Sequence, residues 1–172
     1  MQQINRIALV GSGGAGKSTL ARQLGTRLNL PVYHLDALYW KPGWQETPRP
    51  EWLALQQELV SRERWIIDGN YSNTLQTRID AADLVVFMDF PRLVCLWGVL
   101  KRRFMYAGRT RPDMGEGCPE KVDLEFVRWV WNFPKRGRVV IEQRLAQVAG
   151  QKQVVRLRSR REVQAFLDGF RG

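Results

Sequence analysis

The stretch RIALVGSGGAGKSTLARQLGTRL near the N-terminus constrains the fold more than any other part of the chain. A short apolar run leads directly into a glycine-rich loop, and Leu20, Leu24 and Leu28 follow on one face of a predicted helix. Between the two, Gly11 to Ser18 fits the pattern G-x-x-x-x-G-K-[ST]. A strand, a loop and a helix in this order form the context that the pattern requires, so the sequence predicts a P-loop.

A P-loop needs glycines because its backbone N–H groups must wrap closely around phosphate oxygens, and the positive end of the following helix adds to the field. Lys17 is expected to reach the β- and γ-phosphates and to act in catalysis, and Ser18 is expected to bind Mg²⁺ through its hydroxyl. ATP and Mg²⁺ are therefore the predicted cofactors. The predicted nucleotide contacts in this loop are Gly11, Ser12, Gly13, Gly14, Ala15, Gly16, Lys17, Ser18 and Thr19.

The rest of the chain alternates between strand-like and helix-like patterns. Four further strands are predicted in PVYHLD, ERWIIDGN, DLVVFMDF and KQVVRLRS, and helices are predicted at 51–62, 91–105, 124–132, 139–148 and 160–170, the last one capped by Ser159. This order predicts an α/β fold with a five-stranded parallel sheet and helices on both faces. At 172 residues the chain is expected to form one domain over residues 1–172.

Three acids fall at the predicted carboxyl ends of strands, where ligands bind in such a sheet. Asp68, in WIIDG, is the candidate to orient Mg²⁺, and Asp36 is the candidate to position or deprotonate an acceptor hydroxyl. Asp89 is expected to cap the next helix. Each of the three carboxylates could instead cap a helix or pair with a basic residue. His34 is expected to be structural.

The missing motifs favour one class of P-loop protein. A GTPase would carry N/T-K-x-D and D-x-x-G after a strand, and a motor-type ATPase usually places a glutamate beside its Walker-B aspartate; none of these occurs here in context. These absences favour a kinase, which must close a lid over the phosphates and neutralise their charge with arginines. KRRFMYAGRTRPDMGEGCPEK supplies such a lid, at about 102–122, unless it is an ordinary basic loop. Arg109 and Arg111 are the candidate catalytic arginines, and Arg102 and Arg103 are candidate nucleotide contacts.

An unusual aromatic segment, YHLDALYWKPGWQETPRPEW, follows the second predicted strand. In a kinase of this architecture it is expected to form an acceptor-side flap at about 36–62. The predicted acceptor contacts are Asp36, Trp40, Trp44 and Asp68. The alternative for the tryptophans is that they form the small core of the flap.

Charge is distributed unevenly along the chain. Residues 1–91 hold 9 Lys/Arg and 9 Asp/Glu, whereas residues 92–172 hold 18 and 8, so the net charge of +10 lies in the second half. Nucleic acid, phosphorylated small molecules and nucleotides would all suit this half, as would plain solvation of a basic surface. No helix-turn-helix, zinc-finger or RRM signature supports DNA readout, so nucleic acid is an open partner without a motif.

The expected compartment follows from the apolar regions and the cysteines of the chain. Its longest apolar region, LVVFMDFPRLVCLWGVL, is interrupted by Asp89, Pro91 and Arg92 and falls short of a membrane span. Cys95 and Cys118 are expected to be free thiols, since two cysteines of this kind rarely form a disulfide in the cytosol. A cytoplasmic location without membrane contact is therefore expected.

Several long motifs together resemble one family. HLDALYWKPGW, WIIDGNYS, ADLVVFMDFPR, RTRPDMGEGCPEK and DLEFVRWVWNFP, in order over nearly the whole chain, resemble the DNA topology modulation protein group, the FlaR-type branch of adenylate-kinase-like P-loop proteins. This resemblance implies a nucleotide or small-molecule kinase fold with Arg102 to Arg111 in the lid region. Asp68-Gly69 matches the D-G-x-P-R segment of nucleoside monophosphate kinases, but Asn70-Tyr71-Ser72 replaces its x-P-R. The missing arginine argues against a nucleoside monophosphate as the acceptor.

The sequence thus predicts an ATP- and Mg²⁺-dependent phosphotransferase that acts on a small acceptor of unidentified structure. Two alternatives remain open at this point. One is an ATP-binding protein associated with DNA and its topology, and the other is a slow ATPase or nucleotide sensor. The sequence does not predict the oligomeric state.

Overall fold

The main sheet follows the predicted alternation. A computed structural model describes residues 4–170. Its strands are β1 (Arg6–Gly11), β2 (Val32–His34), β3 (Trp40–Lys41), β4 (Gln45–Glu46), β5 (Trp65–Asp68), β6 (Leu84–Met88) and β7 (Gln153–Leu157). Five of them form one sheet in the order β2-β5-β1-β6-β7, and every pairing in this sheet is parallel. The predicted five-stranded parallel sheet is confirmed.

The central strands are apolar because both of their faces are covered. Every residue of β5 and β6 is buried, as is every residue of β1 after Arg6. The register pairs Leu9 with Asp68 and His34 with Asp68, and it pairs Gly11 with Met88. The P-loop therefore leaves the sheet beside the carboxyl ends of β2, β5 and β6.

Helices cover both faces of the sheet. They are α1 (Lys17–Leu28), α2 (Leu35–Tyr39), α3 (Arg49–Ser61), α4 (Ser72–Ala81), α5 (Arg92–Met105), α6 (Leu124–Asn132), α7 (Gly137–Gln147) and α8 (Arg160–Asp168). The helices predicted from the sequence all form, each with ends within two residues of the prediction. The Ser159 side chain caps α8 by accepting from the Glu162 N–H, as predicted. No helix within residues 4–170 has the length and apolar character needed to cross a bilayer.

Helix α4 was not predicted, because its sequence SNTLQTRIDA gives a weak pattern. Its apolar signal is little more than Leu75 and Ile79, one helical turn apart, and both are fully buried. They join the core under one face of the sheet, which also holds Trp52 of α3 and Ile141 of α7. The residue before α4, Tyr71, has a left-handed backbone with φ 32°. The helix is thus stabilised by packing rather than by a strong amphipathic sequence.

The segment after β2 differs from the prediction. Asp36 was expected to end the second strand, but β2 ends at His34 and Asp36 lies in the first turn of α2. The reason is Leu35, whose side chain is fully buried and draws the chain out of the strand into a helical turn. Beyond α2, β3 and β4 pair as a small antiparallel hairpin. Gly43 and Trp44 turn this hairpin with φ values of 75° and 62°.

Candidate active site

The P-loop backbone adopts a shape that only glycine allows at two points. Gly11 and Gly14 have φ values of 144° and 78°. A Cβ on Gly11 would lie 2.4 Å from the Met88 carbonyl oxygen, and one on Gly14 would lie 2.0 Å from the Cys95 carbonyl oxygen. The loop therefore wraps tightly between β6 and α5, and its N–H groups are left to face a ligand.

The polar groups of the loop fit a phosphate. Helix α1 starts at Lys17 with no side-chain cap on its first N–H groups, so these donors are open to an anion. The Lys17 Nζ donates to the Ser12 carbonyl oxygen at 2.9 Å, which holds the ammonium over the loop. The Ser12 hydroxyl is buried and lies within hydrogen-bond reach of the Cys95 thiol. Ser18 lies in the first turn of α1, and Thr19 after it is exposed.

Asn70 fixes the P-loop to the neighbouring strand, a role that the sequence did not reveal. Its side-chain oxygen accepts from the Gly11 N–H at 3.0 Å, and its Nδ2 donates to the Gly11 carbonyl oxygen at 2.7 Å. Arg78 of α4, fully buried, donates in turn to the Gly69 and Asn70 carbonyl oxygens and to Gln56. Asn70 stands at the variable position of the D-G-x-P-R pattern, so the motif gave no signal for this role.

Asp68 lies at the end of β5, as predicted, and is paired. Its carboxylate is 2.6 Å from the His34 Nδ1, and both side chains are largely buried. His34 was expected to be structural. It pairs with Asp68 because the parallel register of β2 and β5 places the two residues side by side, and this contact is compatible with that expectation.

Asp36 lies on the flap side of the site, in the first turn of α2. The Tyr71 hydroxyl donates to its Oδ1 at 2.8 Å. Burial and the charge of Asp68 raise the pKa of Asp36. The Tyr71 hydrogen bond and the charges of Lys17 and Arg111 lower it, but the net shift is upward. The residue is nevertheless exposed to solvent. The carboxylate is therefore accessible to a substrate while it remains within the field of the site.

Arg111 is the lid arginine that points inward. Its guanidinium is buried between Asp113, at 3.1 Å, and Glu120, at 2.6 Å. Arg102, in the last turn of α5, shares Glu120 at 2.8 Å. Glu120 thus joins the end of α5 to the lid. The predicted sites Arg103 and Arg109 have exposed side chains.

Asp113 was not predicted as a site residue, yet it lies beside the P-loop. Burial alone would raise its pKa, but Arg111, a hydrogen bond with the Ser18 side chain and the nearby His34 together lower it. The lid thus places a carboxylate next to the serine that was predicted to bind Mg²⁺.

The lid rests on the flap. The Gly43 N–H donates to the Gly117 carbonyl oxygen at 3.0 Å, and Cys118 is buried with its sulfur 3.2 Å from the Lys41 carbonyl oxygen. A Cβ on Gly115 would lie 2.9 Å from the Trp40 carbonyl oxygen. These backbone contacts describe a closed arrangement in which lid and flap cover the cleft from two sides.

The flap aromatics pack on one another. Ring centroids are 5.0 Å apart for Tyr39 and Trp40, 5.0 Å for Tyr39 and Trp52, and 5.5 Å for Trp40 and Trp44. Trp52 is buried, whereas Trp40 and Trp44 are half-buried. Trp52 therefore belongs to the core of the flap, and the rings of Trp40 and Trp44 keep surface free.

Asp89 does not cap the next helix, so that interpretation was wrong. Helix α5 begins after Pro91 without a side-chain cap. The Asp89 carboxylate pairs instead with Arg156 at 2.7 Å and with Arg138 at 3.6 Å. The cause is the sheet order, which places β7 with Arg156 next to β6.

A metal ion would find few protein ligands in this cleft. Within residues 4–170 no three His, Cys, Asp or Glu side chains are arranged to hold one together. The Ser18 hydroxyl and the Asp68 carboxylate fit Mg²⁺ chemically, because Mg²⁺ takes one or two oxygen ligands from the protein and the rest from phosphates and water.

Solved kinase structures have a fold similar to that of this chain. A shikimate kinase from Acinetobacter baumannii, solved in complex with shikimate, superposes with a TM-score of 0.62 at 15% identity, over 98% of this chain and 91% of that one. The chain has the fold of the P-loop kinases. The predicted adenylate-kinase-like, P-loop fold class is thereby confirmed.

Sequence comparisons add two relatives. An uncharacterized protein of Bacillus subtilis (strain 168), YqaC, is 29% identical over 139 residues, which are 78% of this chain and 75% of that protein. A cytidylate kinase of Lawsonia intracellularis (strain PHE/MN1-00) is 36% identical over 77 residues, 44% of this chain and 34% of that protein. No protein-family model matches the sequence.

Proposed function

We propose that this chain is an ATP- and Mg²⁺-dependent kinase that transfers the γ-phosphoryl group to a hydroxyl of a small acceptor. The observation that carries the proposal is the position of Asp36. Its Oδ1 accepts from Tyr71, next to the Asn70 that bonds Gly11 of the P-loop. A Cβ on lid residue Gly115 would lie 3.0 Å from the carbonyl oxygen of the adjacent Ala37. The charges of Lys17, from the P-loop, and of Arg111, from the lid, both act on this carboxylate of the flap. Nucleotide site, lid and acceptor side therefore meet at one point, as phosphoryl transfer between two bound molecules requires.

The P-loop residues take the nucleotide. Residues 11–19 would hold the phosphates with backbone N–H groups, Lys17 would contact the β- and γ-phosphates, and Ser18 and Asp68 would hold Mg²⁺. Bound there, Mg²⁺ would offset the charge that builds up on the phosphate oxygens. Asn70 keeps the start of the loop in place through its two bonds to Gly11.

Asp36 would accept the proton of the acceptor hydroxyl at one of its carboxylate oxygens. A raised pKa makes this carboxylate a better proton acceptor, and Tyr71 orients it. Arg111 would release part of its pairing with Asp113 and Glu120 to meet the transferred phosphoryl group, with Arg109 beside it. Arg102 and Arg103 would flank the nucleotide from the end of α5.

A small acceptor suits the flap and lid, at about 36–62 and 102–122, because their contacts close the cleft over a limited volume. The half-buried rings of Trp40 and Trp44 would contact such an acceptor. The likeness to kinases, one of them solved with shikimate, supports a small molecule. We propose that the reaction takes place in the cytoplasm, where ATP is available. We also propose that residues 1–172 form a single catalytic domain.

The basic second half supports a kinase better than a DNA-binding protein. Arginines 102 and 111 are paired with Glu120, and arginines 138 and 156 are paired with Asp89 and Glu142. Four of the 18 cations of this half are thus bound to acids of the fold, two of them in the lid. The topology-modulation resemblance adds no site that would read DNA.

The test is a panel of hydroxylated metabolites incubated with ATP and Mg²⁺, with ADP release and phosphorylated product both recorded. We expect one class of acceptor to be phosphorylated and Lys17→Ala to abolish the reaction while circular dichroism stays unchanged. Lys135→Ala, which removes an exposed lysine away from the P-loop, is the matched control and should retain activity. Hydrolysis of ATP that DNA stimulates, with no acceptor phosphorylated, would contradict the proposal.

A further inference from the structure

Helix α5 presents a row of large apolar side chains to solvent. Leu93, Trp97, Leu100 and Phe104 expose 68%, 64%, 45% and 82% of their surface. Their intervals of four, three and four residues place them on one face, in the a/d spacing of a coiled-coil seam. Cys95 and Val99 on the opposite face are fully buried. The row is thus not needed to hold α5 to its own core.

Helix α6 extends this apolar row sideways. The Arg92 guanidinium lies 4.5 Å from the centre of the Trp131 ring, and Arg102 lies 5.6 Å from the centre of Phe126. The start of α5 is therefore beside the end of α6, so the two helices run antiparallel. Leu124 and Trp131, two turns apart on α6, expose 85% and 45% of their surface. We call these six residues the α5–α6 surface: Leu93, Trp97, Leu100, Phe104, Leu124 and Trp131.

We propose that the α5–α6 surface is the interface of a two-fold homodimer, in which α5 packs antiparallel to α5 of a second copy. A two-fold axis midway between Trp97 and Leu100 would place Leu93 against the partner's Phe104 and Trp97 against the partner's Leu100. Each contact would then occur twice, because residue i of one copy meets residue j of the other and j meets i, as an isologous interface requires.

Charge selects the antiparallel direction. Helix α5 contains no acidic residue, and two of its exposed cations, Lys101 and Arg103, lie in its last two turns. A parallel pair would place each of these cations beside its own copy. The antiparallel pair places Lys101 beside Leu96 of the partner. Arg103 lies near the partner's Arg92, whose guanidinium is drawn over the Trp131 ring, so the repulsion between like charges is reduced.

The same two-fold axis suits α6. Because α6 lies beside the middle of α5 in the opposite direction, α6 would face the partner's α6, with Leu124 near the partner's Trp131. Glu125 and Arg128, both exposed, would then lie close to each other's copies with opposite charges. The helix thus offers a pair of ionic contacts around the apolar rows.

The available area is that of a stable dimer. Aromatic side chains bury about 150–250 Å² each. At exposed fractions of 64%, 82% and 45%, the rings of Trp97, Phe104 and Trp131 offer about 290–480 Å². The three leucines add to this area, toward the about 800 Å² per partner found in a standard interface. Monomeric proteins seldom expose so large a continuous apolar patch.

Two other occupants are conceivable for an apolar surface with basic flanks, an anionic bilayer and a single-stranded nucleic acid. Both would bind a monomer, and neither predicts a defined distance between two copies of one residue. They therefore serve as contrary outcomes.

The first experiment is sedimentation velocity of the full chain from micromolar to near-millimolar concentration. We expect a species of twice the 20.0 kDa chain mass for the wild type, and the chain mass alone for Trp97→Glu combined with Leu100→Glu. Leu53→Glu removes an apolar side chain of 39% exposure on α3 and should leave the dimer intact. Circular dichroism checks that all three proteins are folded.

The second experiment fixes the direction by oxidative crosslinking, which is clean because Cys95 and Cys118 are buried. In the antiparallel pair, two copies of residue 100 are offset by about 4.5 Å along the helices and two copies of residue 104 by about 16 Å. Leu100→Cys should therefore form a disulfide-linked dimer and Phe104→Cys should not, because a disulfide needs close Cα atoms. Equal crosslinking of both variants would overturn the antiparallel arrangement. A wild-type chain that stays monomeric throughout, or that binds anionic vesicles or oligonucleotides through this surface as a monomer, would overturn the dimer.

Discussion

Replacing Gly98 with alanine tests the contact between α5 and the P-loop. A Cβ on Gly98 would lie 2.2 Å from the Gly14 carbonyl oxygen and 3.2 Å from its Cα. Gly14 is equally crowded, since a Cβ there would lie 2.0 Å from the Cys95 carbonyl oxygen of α5. Two backbones therefore touch here without a side chain between them. On an isolated helix the same substitution would be favourable by about 1 kcal/mol.

The crowding should outweigh the gain in helix propensity. Carbon and oxygen atoms rest at about 3.3–3.6 Å even in a weak hydrogen bond, so α5 and the loop would have to separate by about 1 Å. Overpacking of a well-packed interior costs about 1–3 kcal/mol, and a backbone obstacle cannot rotate away. We expect a net loss of about 1–2 kcal/mol, which lowers Tm by about 2–4 °C per kcal/mol in a chain of this size. Because Gly14 belongs to the proposed phosphate cradle, we expect ATP affinity to fall by about tenfold, equivalent to about 1.4 kcal/mol.

The assay is thermal unfolding followed by calorimetric titration of ATP with Mg²⁺. Gly150→Ala is the control, because Gly150 has a φ of 76° but no atom within 4 Å of a built Cβ. It should cost about 1–2 kcal/mol of backbone strain and leave ATP affinity unchanged. A Gly98→Ala protein that melts above the wild type and binds ATP equally well would show that the close approach of α5 to the P-loop is wrong.

Three further changes test the rest of the site. Asn70→Asp keeps an acceptor for the Gly11 N–H but loses the donor to the Gly11 carbonyl, so ATP titration should show weaker binding by about tenfold, from loss of a buried hydrogen bond worth about 1–3 kcal/mol. The pKa of Asp36 is raised, and the base works only when it is unprotonated, so the acid limb of kcat/KM should lie above the ordinary aspartate range. Tyr71→Phe removes a hydrogen bond that lowers this pKa. A pH profile of this variant should therefore show the acid limb at still higher pH. Glu120→Gln leaves two arginines without their buried partner and should lower stability in urea unfolding by about 3–5 kcal/mol.

The sheet and the P-loop were predictable because their signals are local. The apolar run of β1, the glycines after it and the leucines of α1 are contiguous, and each obeys a rule of periodicity or backbone shape. The acids at strand ends were predictable in a coarser sense. Parallel strands end at one edge of a sheet, so Asp68 could be assigned to the cleft, although one buried side chain, Leu35, was enough to move Asp36 into a helix.

The partners of the site residues were not predictable, because they are distant in sequence. Asn70 meets Gly11 from 59 positions away, and His34 meets Asp68 from 34. Such pairs depend on the order and register of the strands, and no motif in this chain predicts either of these. Asp89 shows the same limit, since its arginine arrives on a strand 67 positions later.

The composition of the lid predicted its basic character but not which of its arginines and acids pair with each other. A run of arginines predicts a basic surface over phosphates, and Arg109 and Arg111 are equivalent in that pattern. In the fold they differ, because Glu120 and Asp113 draw Arg111 inward while Arg109 stays exposed. The acids of the lid were overlooked because, in a count of charges, they only reduce the net positive charge. In the fold they decide which arginine faces the cleft.

Helix α5 makes three different contacts on three of its faces, and this has a consequence for regulation. Gly98 lies against the P-loop, Arg102 is bound to Glu120 of the lid, and Phe104 ends the proposed dimer row. Helices in close-packed interiors move as rigid units, so a displacement of one face also moves the other two.

If a second copy holds Leu93 and Phe104 in place, it also fixes the angle at which Arg102 enters the lid. The dimer-breaking pair Trp97→Glu and Leu100→Glu should therefore loosen the lid, seen as faster amide exchange at residues 109–120, while exchange in β1 and β5 stays at the wild-type rate. Unchanged exchange in the lid of a confirmed monomer would show that the outer face of α5 is mechanically independent of the site.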